Sequence, residues 1–513
     1  MVKQACGVVI AVPQPREGER VARRVLVYRT VLDAIANGAL PPGTRLPSAR
    51  QLAREWKFAR GAVDEAYEQL QAEGLLERRT GDGTYVALTP AKTSAEVPAE
   101  PAIRPVTRAA QGVLNRFSAY LGKAQKVEVP LMTLLSQPLF PRAPMTRHFP
   151  LDVWRRLIAR AHTEPHRQQL GYGAPEGEAP LREAIARHLS LTRGTHCGVD
   201  QILVINSPTQ GIELMARVLL EPGDKVWLED PGHSSLVTLF KVLHTHVVGV
   251  PLDEHGLNVA RGRELAPDAA AVYLHPLTQF PLGVRTTAAR RAELLQWAET
   301  SGAWIIEANF NDELTHDAQA PTSLQAMDRS DRVLLMGTLE GIMYPSLRVA
   351  YLVVPARLSK VFGAMRGLMG DHTNVALQQA LTWFIDEGHM SHHLRSLRQT
   401  LQVRRTAMRE SCAVHLPEWV RIGPLDGGAH MCLHLPPAVS DREVVRRIRG
   451  MGVLGIALSS ICIDPAHANG IALGFGAFEP RVIEASMRVI GDVLRQCAPT
   501  TGSSAPTPRE VRA

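Results

Sequence analysis

The residues of this chain best equipped for chemistry are guanidinium groups placed at predicted helix starts. Arg60 opens a predicted helix running to Glu73, and Arg50 stands near the start of the short helix before it. A helix that enters a DNA major groove by its N-terminus needs Arg or Lys there, because such side chains reach phosphates and guanine edges alike. Arg50 is placed to contact backbone or groove, while Lys57, Arg78 and Arg79 add positive charge. Further on, Thr80-Gly81-Asp82-Gly83 separates two short apolar runs, and Gly83 at the tip of such a turn lets the backbone approach phosphates. Up to Ala87 the chain carries 13 Lys and Arg against 10 Asp and Glu, a difference of only +3. Attraction for DNA must therefore come from where the charges sit. His196-Cys197 and His392-His393 lack metal-ligand spacing, and the six cysteines lie far apart without a CxxC pair, so neither a metal site nor a disulfide framework is expected.

These side chains need elements to hold them. Val25, Tyr28, Leu32 and Ile35, spaced by three, four and three, predict one apolar helix face, ended by Gly38. Pro47 and Ser48 open a short helix, a turn around Lys57 to Ala59 follows, and Gly74 stops the helix that begins at Arg60. Leu75-Leu76 and Thr84-Tyr85-Val86 then predict a hairpin. Three helices and a hairpin make a winged helix-turn-helix over residues 23–87. Residues 1–22 lack periodicity and read as a flexible N-terminus. Residues 88–112 are rich in Pro, Ala, Ser and Thr and read as a linker. At about 3.1 Å per residue in extended form, such a linker spans roughly 75 Å, enough to carry the head across to a second copy.

From residue 113 to 497 helical patterns (Pro180 to Leu191, Gly211 to Leu220, Thr287 to Ser301) alternate with short apolar runs beginning at Gln201, Lys225, Ala271, Trp304 and Arg332. That alternation predicts an α/β domain with a mostly parallel sheet and a smaller C-terminal α/β subdomain. Residues 498–513 read as a low-complexity, disordered tail. A chain of 513 residues with 45% hydrophobic and 21% charged content is neither collagenous nor mostly disordered. No apolar stretch approaches the roughly 20 residues of a membrane span, and the start lacks a signal peptide's apolar run, so the expected location is the cytoplasm, with no membrane partner.

The first domain resembles the winged-helix domain of the GntR regulators. The family's G-x-L-x-P-G-x-x-L-P-S-x-R-x-L-A stands as Gly38, Leu40, Pro42, Gly43, Leu46, Pro47, Ser48, Arg50, Leu52 and Ala53. The following R-x-x-V-x-x-A-Y-x-x-L-x-x-E-G stands as Arg60, Val63, Ala66, Tyr67, Leu70, Glu73 and Gly74, and the wing's GxGTyV as Gly81 to Val86. By this resemblance Arg50, Arg60 and Gly83 contact DNA, with Ser48, Lys57, Gly61 and Thr84 beside them. Gly61 and Ala62 replace the family's usual Thr or Ser, so base preference is expected to differ.

The large domain resembles the fold-type I, aminotransferase-like half of the MocR branch of those regulators. The resemblance rests on Phe149 to Trp154, Leu170 to Gly173, Pro180 to Ala186, Glu221 to Asp224, Glu229 to Gly232, Gln279 to Pro281 and Pro345 to Arg348. It implies a pocket for pyridoxal phosphate held on a lysine, yet the family segment G-T-F-S-K stands here as Gly337-Thr338-Leu339-Glu340-Gly341. The lysine position is Gly341, and lysine occurs only at 3, 57, 92, 123, 126, 225, 241 and 360. Other implied contacts change with it. Asn309 and Phe310 replace the Asp and Tyr of E-D-D-Y, and without a carboxylate the ring nitrogen is not held protonated. Glu340 replaces the phosphate-binding serine, and a carboxylate repels a phosphate. The cradle G-S-Q-Q-A stands as Ser207-Pro208-Thr209-Gln210-Gly211, where Pro208 removes an N–H donor. His233 stands at the ring-stacking position and Thr278 at a ring contact. Tyr172 and Arg348 remain on the phosphate side. Either they still define an anion pocket, or Arg348 pairs with Glu340 and Tyr172 simply packs.

The resemblance thus implies a DNA-binding transcription regulator whose body is catalytically inactive, has no pyridoxal phosphate cofactor and no metal, and serves dimerisation and effector sensing. Its expected partners are a double-stranded operator, a second copy in a domain-crossed homodimer, and an unknown small-molecule or protein effector. Three alternatives stand beside it: a regulator that binds pyridoxal phosphate noncovalently, an active aminotransferase, against which Gly341 argues, and a scaffold that only spaces the two heads.

Overall fold

A computed structural model describes residues 10, 12, 21–87, 137–163, 171–310, 312–315 and 322–497. The linker expected at 88–112 and the tail at 498–513 lie outside them, as does almost all of the N-terminal 1–22. The chain divides into two compact units, residues 1–115 and 116–513.

In the first unit α1 (Arg23–Ala36), α2 (Ala49–Trp56) and α3 (Arg60–Ala72) precede β1 (Leu76–Arg79) and β2 (Gly83–Val86), which pair antiparallel with Leu76 opposite Val86. Ser48 caps α2, its Oγ accepting from Gln51 N at 3.2 Å. Lys57 ends that helix in the left-handed region, φ 55°, and so turns the chain into α3. The expected face of α1 is rotated. Val27 and Val31 are fully buried, whereas Val25, Tyr28, Leu32 and Ile35 flank them half-buried, and the Tyr28 hydroxyl reaches out to Glu73 at 2.8 Å. Those valines join Leu52, Trp56, Val63, Leu70 and Val86 in the head's own core.

The second unit is built on eight strands: β3 (Ile202–Ile205), β4 (Lys225–Asp230), β5 (His246–Asp253), β6 (Gly256–Leu257), β7 (Ala271–Leu274), β8 (Trp304–Asn309), β9 (Val333–Thr338) and β10 (Ala350–Val353). They lie in the order β3-β10-β9-β8-β7-β4-β5-β6. Strands β9, β8, β7, β4 and β5 run parallel, while β10 is antiparallel to both its neighbours. Parallel strands need apolar residues on both faces, and β7 and β9 are buried throughout, as are the antiparallel-paired β3 and β10. Two helices begin where side chains cap them. Ser207 opens the helix Pro208–Leu219 and Thr287 opens Ala288–Ser301. A smaller antiparallel sheet, β11 (Arg421–Ile422), β12 (His430–His434), β14 (Gly470–Gly474) and β13 (Ile456–Ala457) in that order, packs with the helices His389–His415, Asp441–Gly450 and Pro480–Gln496.

Candidate functional site

The head presents its cations at element starts. Arg60 is the first residue of α3, its side chain 69% exposed, with Nε 3.1 Å from Asp64 one turn on. Ala59 before it supplies no side-chain cap, so the first N–H groups of α3 and the Arg60 guanidinium share one end of the helix. Arg50, the second residue of α2, is exposed, as are Lys57, Arg78 and Gly61, the last with no heavy atom within 4 Å of where a Cβ would stand. Ser48 is exposed but engaged as the cap of α2, and the half-buried Thr84 accepts Leu46 N through its carbonyl. Gly83 sits at the wing with φ 144°, and its position opposite Arg79 closes the hairpin.

In the body, the residues implied as cofactor contacts collect at the carboxyl edge of the parallel strands, the place where sheets of this kind offer a crevice. Their side chains, however, engage one another. The His233 ring stacks on Phe280, centroids 4.6 Å apart and planes 18° apart, so its face is covered by a residue of the same chain. His275 stands 5.2 Å from His233 and 5.3 Å from Phe310. Burial, with the neighbouring His275 charge, holds the His233 imidazole well below its ordinary pKa. Beside this stack Glu229 Oε2 accepts from His275 N at 3.2 Å, and Glu229, His233, Tyr273, His275, Ile461 and Ile463 enclose a cavity of about 10 Å³, enough for about one water molecule.

The residues implied on the phosphate side also pair within the chain. At the start of the helix Pro208–Leu219, Pro208 has no N–H, Gln210 N donates to Ser207 Oγ at 3.1 Å and Gly211 N to Ser207 O at 3.1 Å. Gln210 Oε1 accepts from Asn206 N at 2.7 Å, and Thr209 is exposed. Few donors of that helix end are left to face an anion. Arg348, with φ 53°, sets Nη1 3.2 Å from Glu340 Oε1. The Glu340 side chain is 18% exposed, and burial pushes its carboxyl up against the opposing pull of Arg348. Of the two readings of the retained residues, the Arg348 ion pair is therefore present, but Tyr172 does not pack. It is 94% exposed, its ring 5.6 Å from that of His372.

Two residues fall elsewhere than the sequence suggested. Leu228, Tyr273 and Ile306 are register partners across β4, β7 and β8, and with Ala308 they join one apolar cluster that includes Ile212 of the helix Pro208–Leu219. Since side chains alternate along a strand, Ala308 and Phe310 face that side while Glu307 and Asn309 face the other, where Glu307 accepts from Leu324 N and Gln325 N. Ala308, a methyl group, thus shares the face of Phe310, and Asn309, whose buried Oδ1 has no hydrogen-bond partner among the described residues, does not. Thr278 is tied away as well, its Oγ1 within 2.9 Å of Phe310 O and 2.7 Å of Asp312 Oδ1. Gly341 lies in the turn after β9. Of the lysines among the described residues of the body, Lys225 begins β4 on Asp268 at 2.7 Å, and Lys241 and Lys360 are exposed on helices. Phe280, His275, Glu229 and Ala308 were missed as site residues. A period-two reading of the run from Trp304 finds Ala308; the other three need the tertiary fold.

A family model described as bacterial regulatory proteins, gntR family, matches residues 24–86, and one described as aminotransferase class I and II matches residues 143–462. The probable rhizopine catabolism regulatory protein MocR of Rhizobium meliloti is 30% identical over 467 residues, covering 89% of this chain and 90% of that protein. The HTH-type pyridoxine biosynthesis transcriptional regulator PdxR of Corynebacterium glutamicum is 29% identical over 463 residues, with 90% and 93% covered. Among solved structures, the multiple substrate aminotransferase of Thermococcus profundus superposes with a TM-score of 0.68 at 23% identity, over 75% of this chain and 98% of that one. The α-aminoadipate aminotransferase LysN of Thermus thermophilus gives 0.65 at 25% identity, over 74% and 98%.

Proposed function

Because the chain belongs to the GntR-family transcription regulators of MocR type, a winged helix-turn-helix joined to an aminotransferase class I and II domain, we propose that its body has given up catalysis and serves dimerisation and effector sensing. The head binds DNA. Arg60 and Arg50 then reach the major groove and the phosphates from the starts of α3 and α2, with Ser48, Lys57, Gly61 and Thr84 near the contact and Gly83 bringing the wing backbone close. Two heads in a homodimer, each crossing to its partner through residues 88–112, read two half-sites whose spacing the bodies set. An effector, small molecule or protein, shifts the dimer only if it binds one arrangement of the heads better than the other.

What supports the loss of catalysis is that residues at the positions implied for a ring and its phosphate engage the chain's own groups or lack the chemistry to hold it. Phe280 covers His233, Ala308 offers no polar atom, Glu340 sits on Arg348, and Ser207 caps the anion-binding helix end. Gly341 supplies no amine. These residues do not fit pyridoxal phosphate, so no reaction step is derived through it. The noncovalent alternative rests on the exposure of Tyr172 and Arg348.

The test is to incubate the full chain with pyridoxal phosphate, desalt it, and record the visible spectrum and the intact mass after borohydride. No retained absorbance and no added mass are expected. A fixed mass increase overturns the reading. Retained absorbance without it supports the noncovalent alternative instead.

A further inference from the structure

Arg45 lies outside the motif positions that mark the DNA-binding surface, yet it is built into the wing. Val86 N donates to Thr44 O at 2.9 Å and Leu46 N to Thr84 O at 2.9 Å, so residues 44–46 add a short third rung to the hairpin and set Arg45 opposite Tyr85. From there its side chain runs to the turn. Nη2 donates to Asp82 O and lies 3.9 Å from the Asp82 carboxylate. A methyl group at Gly83 would meet Arg45 Nε at 3.1 Å, so the guanidinium rests against the open side of that glycine. Asp82 is the acidic residue of the turn Thr80 to Gly83, and a bare carboxylate at that tip would repel a phosphate backbone. Its Oδ2 instead accepts from the Tyr85 hydroxyl at 2.7 Å, while Oδ1 faces Arg45. Arg79 stacks over the Tyr85 ring at 4.3 Å and holds that ring in place. Arg45 keeps 36% of its side chain exposed at this edge.

We propose that Arg45 is a further DNA-binding residue of the wing, which neutralises Asp82, braces the Gly83 tip and sets its guanidinium against a backbone phosphate next to the groove that the tip enters. The inference rests on the head's DNA binding. A guanidinium carries five N–H donors in a planar fork, so it has the donors to engage the Asp82 carbonyl and a phosphate oxygen together. Being a phosphate contact, it adds affinity and salt dependence but no base preference.

The experiment uses the full chain and a duplex selected by it from a randomised pool, with fluorescence anisotropy read from low to moderate salt. Arg45→Ala is expected to bind about tenfold more weakly and to lower the slope of log affinity against log salt by about 1, equally for selected and unrelated duplexes. Arg45→Lys, which keeps the charge, is expected to restore the slope. If Arg60→Ala weakens binding while Arg45→Ala keeps wild-type affinity and slope, the role of Arg45 is overturned. If both Arg45 variants bind weakly with an unchanged slope, Arg45 is a strut for the wing and the phosphate contact is overturned. A wild-type chain that selects no duplex at all would instead overturn the DNA-binding reading itself.

Discussion

His430 shows how single side chains keep the body's crevice filled. Its Nε2 lies 3.1 Å from Gln279 O, so that nitrogen carries the proton, and its ring stands 5.2 Å from Phe280. It thereby fixes the segment that lays Phe280 on His233. Burial lowers its pKa from 6.5 to about 4. A group with a depressed native pKa stabilises the fold above its unfolded value, and that contribution is lost as pH falls through the native one. From pH 6.5 down to about 4 the loss from His430 is roughly 3 kcal/mol, and His233 adds to it with the same sign. His430→Gln, which retains a donor, is expected to lose less stability than wild type between pH 7.5 and pH 5 in urea titrations; parallel curves would refute this. The retained Arg348 and the nearby Glu340 were legible as an ion pair, because only seven residues lie between them in one segment. The exposure of Tyr172 was not, since nothing local in Leu170 to Gly173 tells whether a neighbour covers the ring.

Along β8 the useful information is the parity of the strand. Its residues Ile305 and Ile306 enter different cores, and the same alternation sends Ala308 and Asn309 to opposite faces. Matching to E-D-D-Y pointed to the polar Asn309, whereas the register puts Ala308 on the face of Phe310. Ala308→Asp would bury an unpaired carboxylate at a position 1% exposed, and is expected to destabilise the protein by roughly 3–5 kcal/mol. Thermal melts should show no recovery with added pyridoxal phosphate; recovery would mean that the crevice admits the ring. The head's elements were readable almost to the residue because capping and turn residues such as Ser48, Lys57 and Gly74 act locally. In the body the helix expected from Gly211 starts earlier, behind its cap Ser207, whereas Thr287 caps its helix where the spacing placed it.

At the scale of the molecule, the two units have separate buried cores, one around Val27 and Leu70 and the others in the body. Calorimetry of the full chain is expected to show two transitions. A selected duplex at about 100 times its Kd should stabilise the head alone, by about 2.7 kcal/mol. A single transition shifted as a whole would show that the units unfold together. The α/β class was legible from alternating patterns, but the insertion of β10 between β3 and β9, antiparallel to both, was not, because strand order depends on contacts some 150 residues apart. The intrachain contacts around the crevice also bear on what single substitutions could do. Lysine at 341 alone would still meet Glu340 and a covered His233, aspartate at 308 alone would be a buried lone charge, and serine at 340 alone would strip Arg348 of its partner. On the proposed reading, no single one of these substitutions would by itself make the crevice fit the cofactor, and a chain built to hold it would need several of them together.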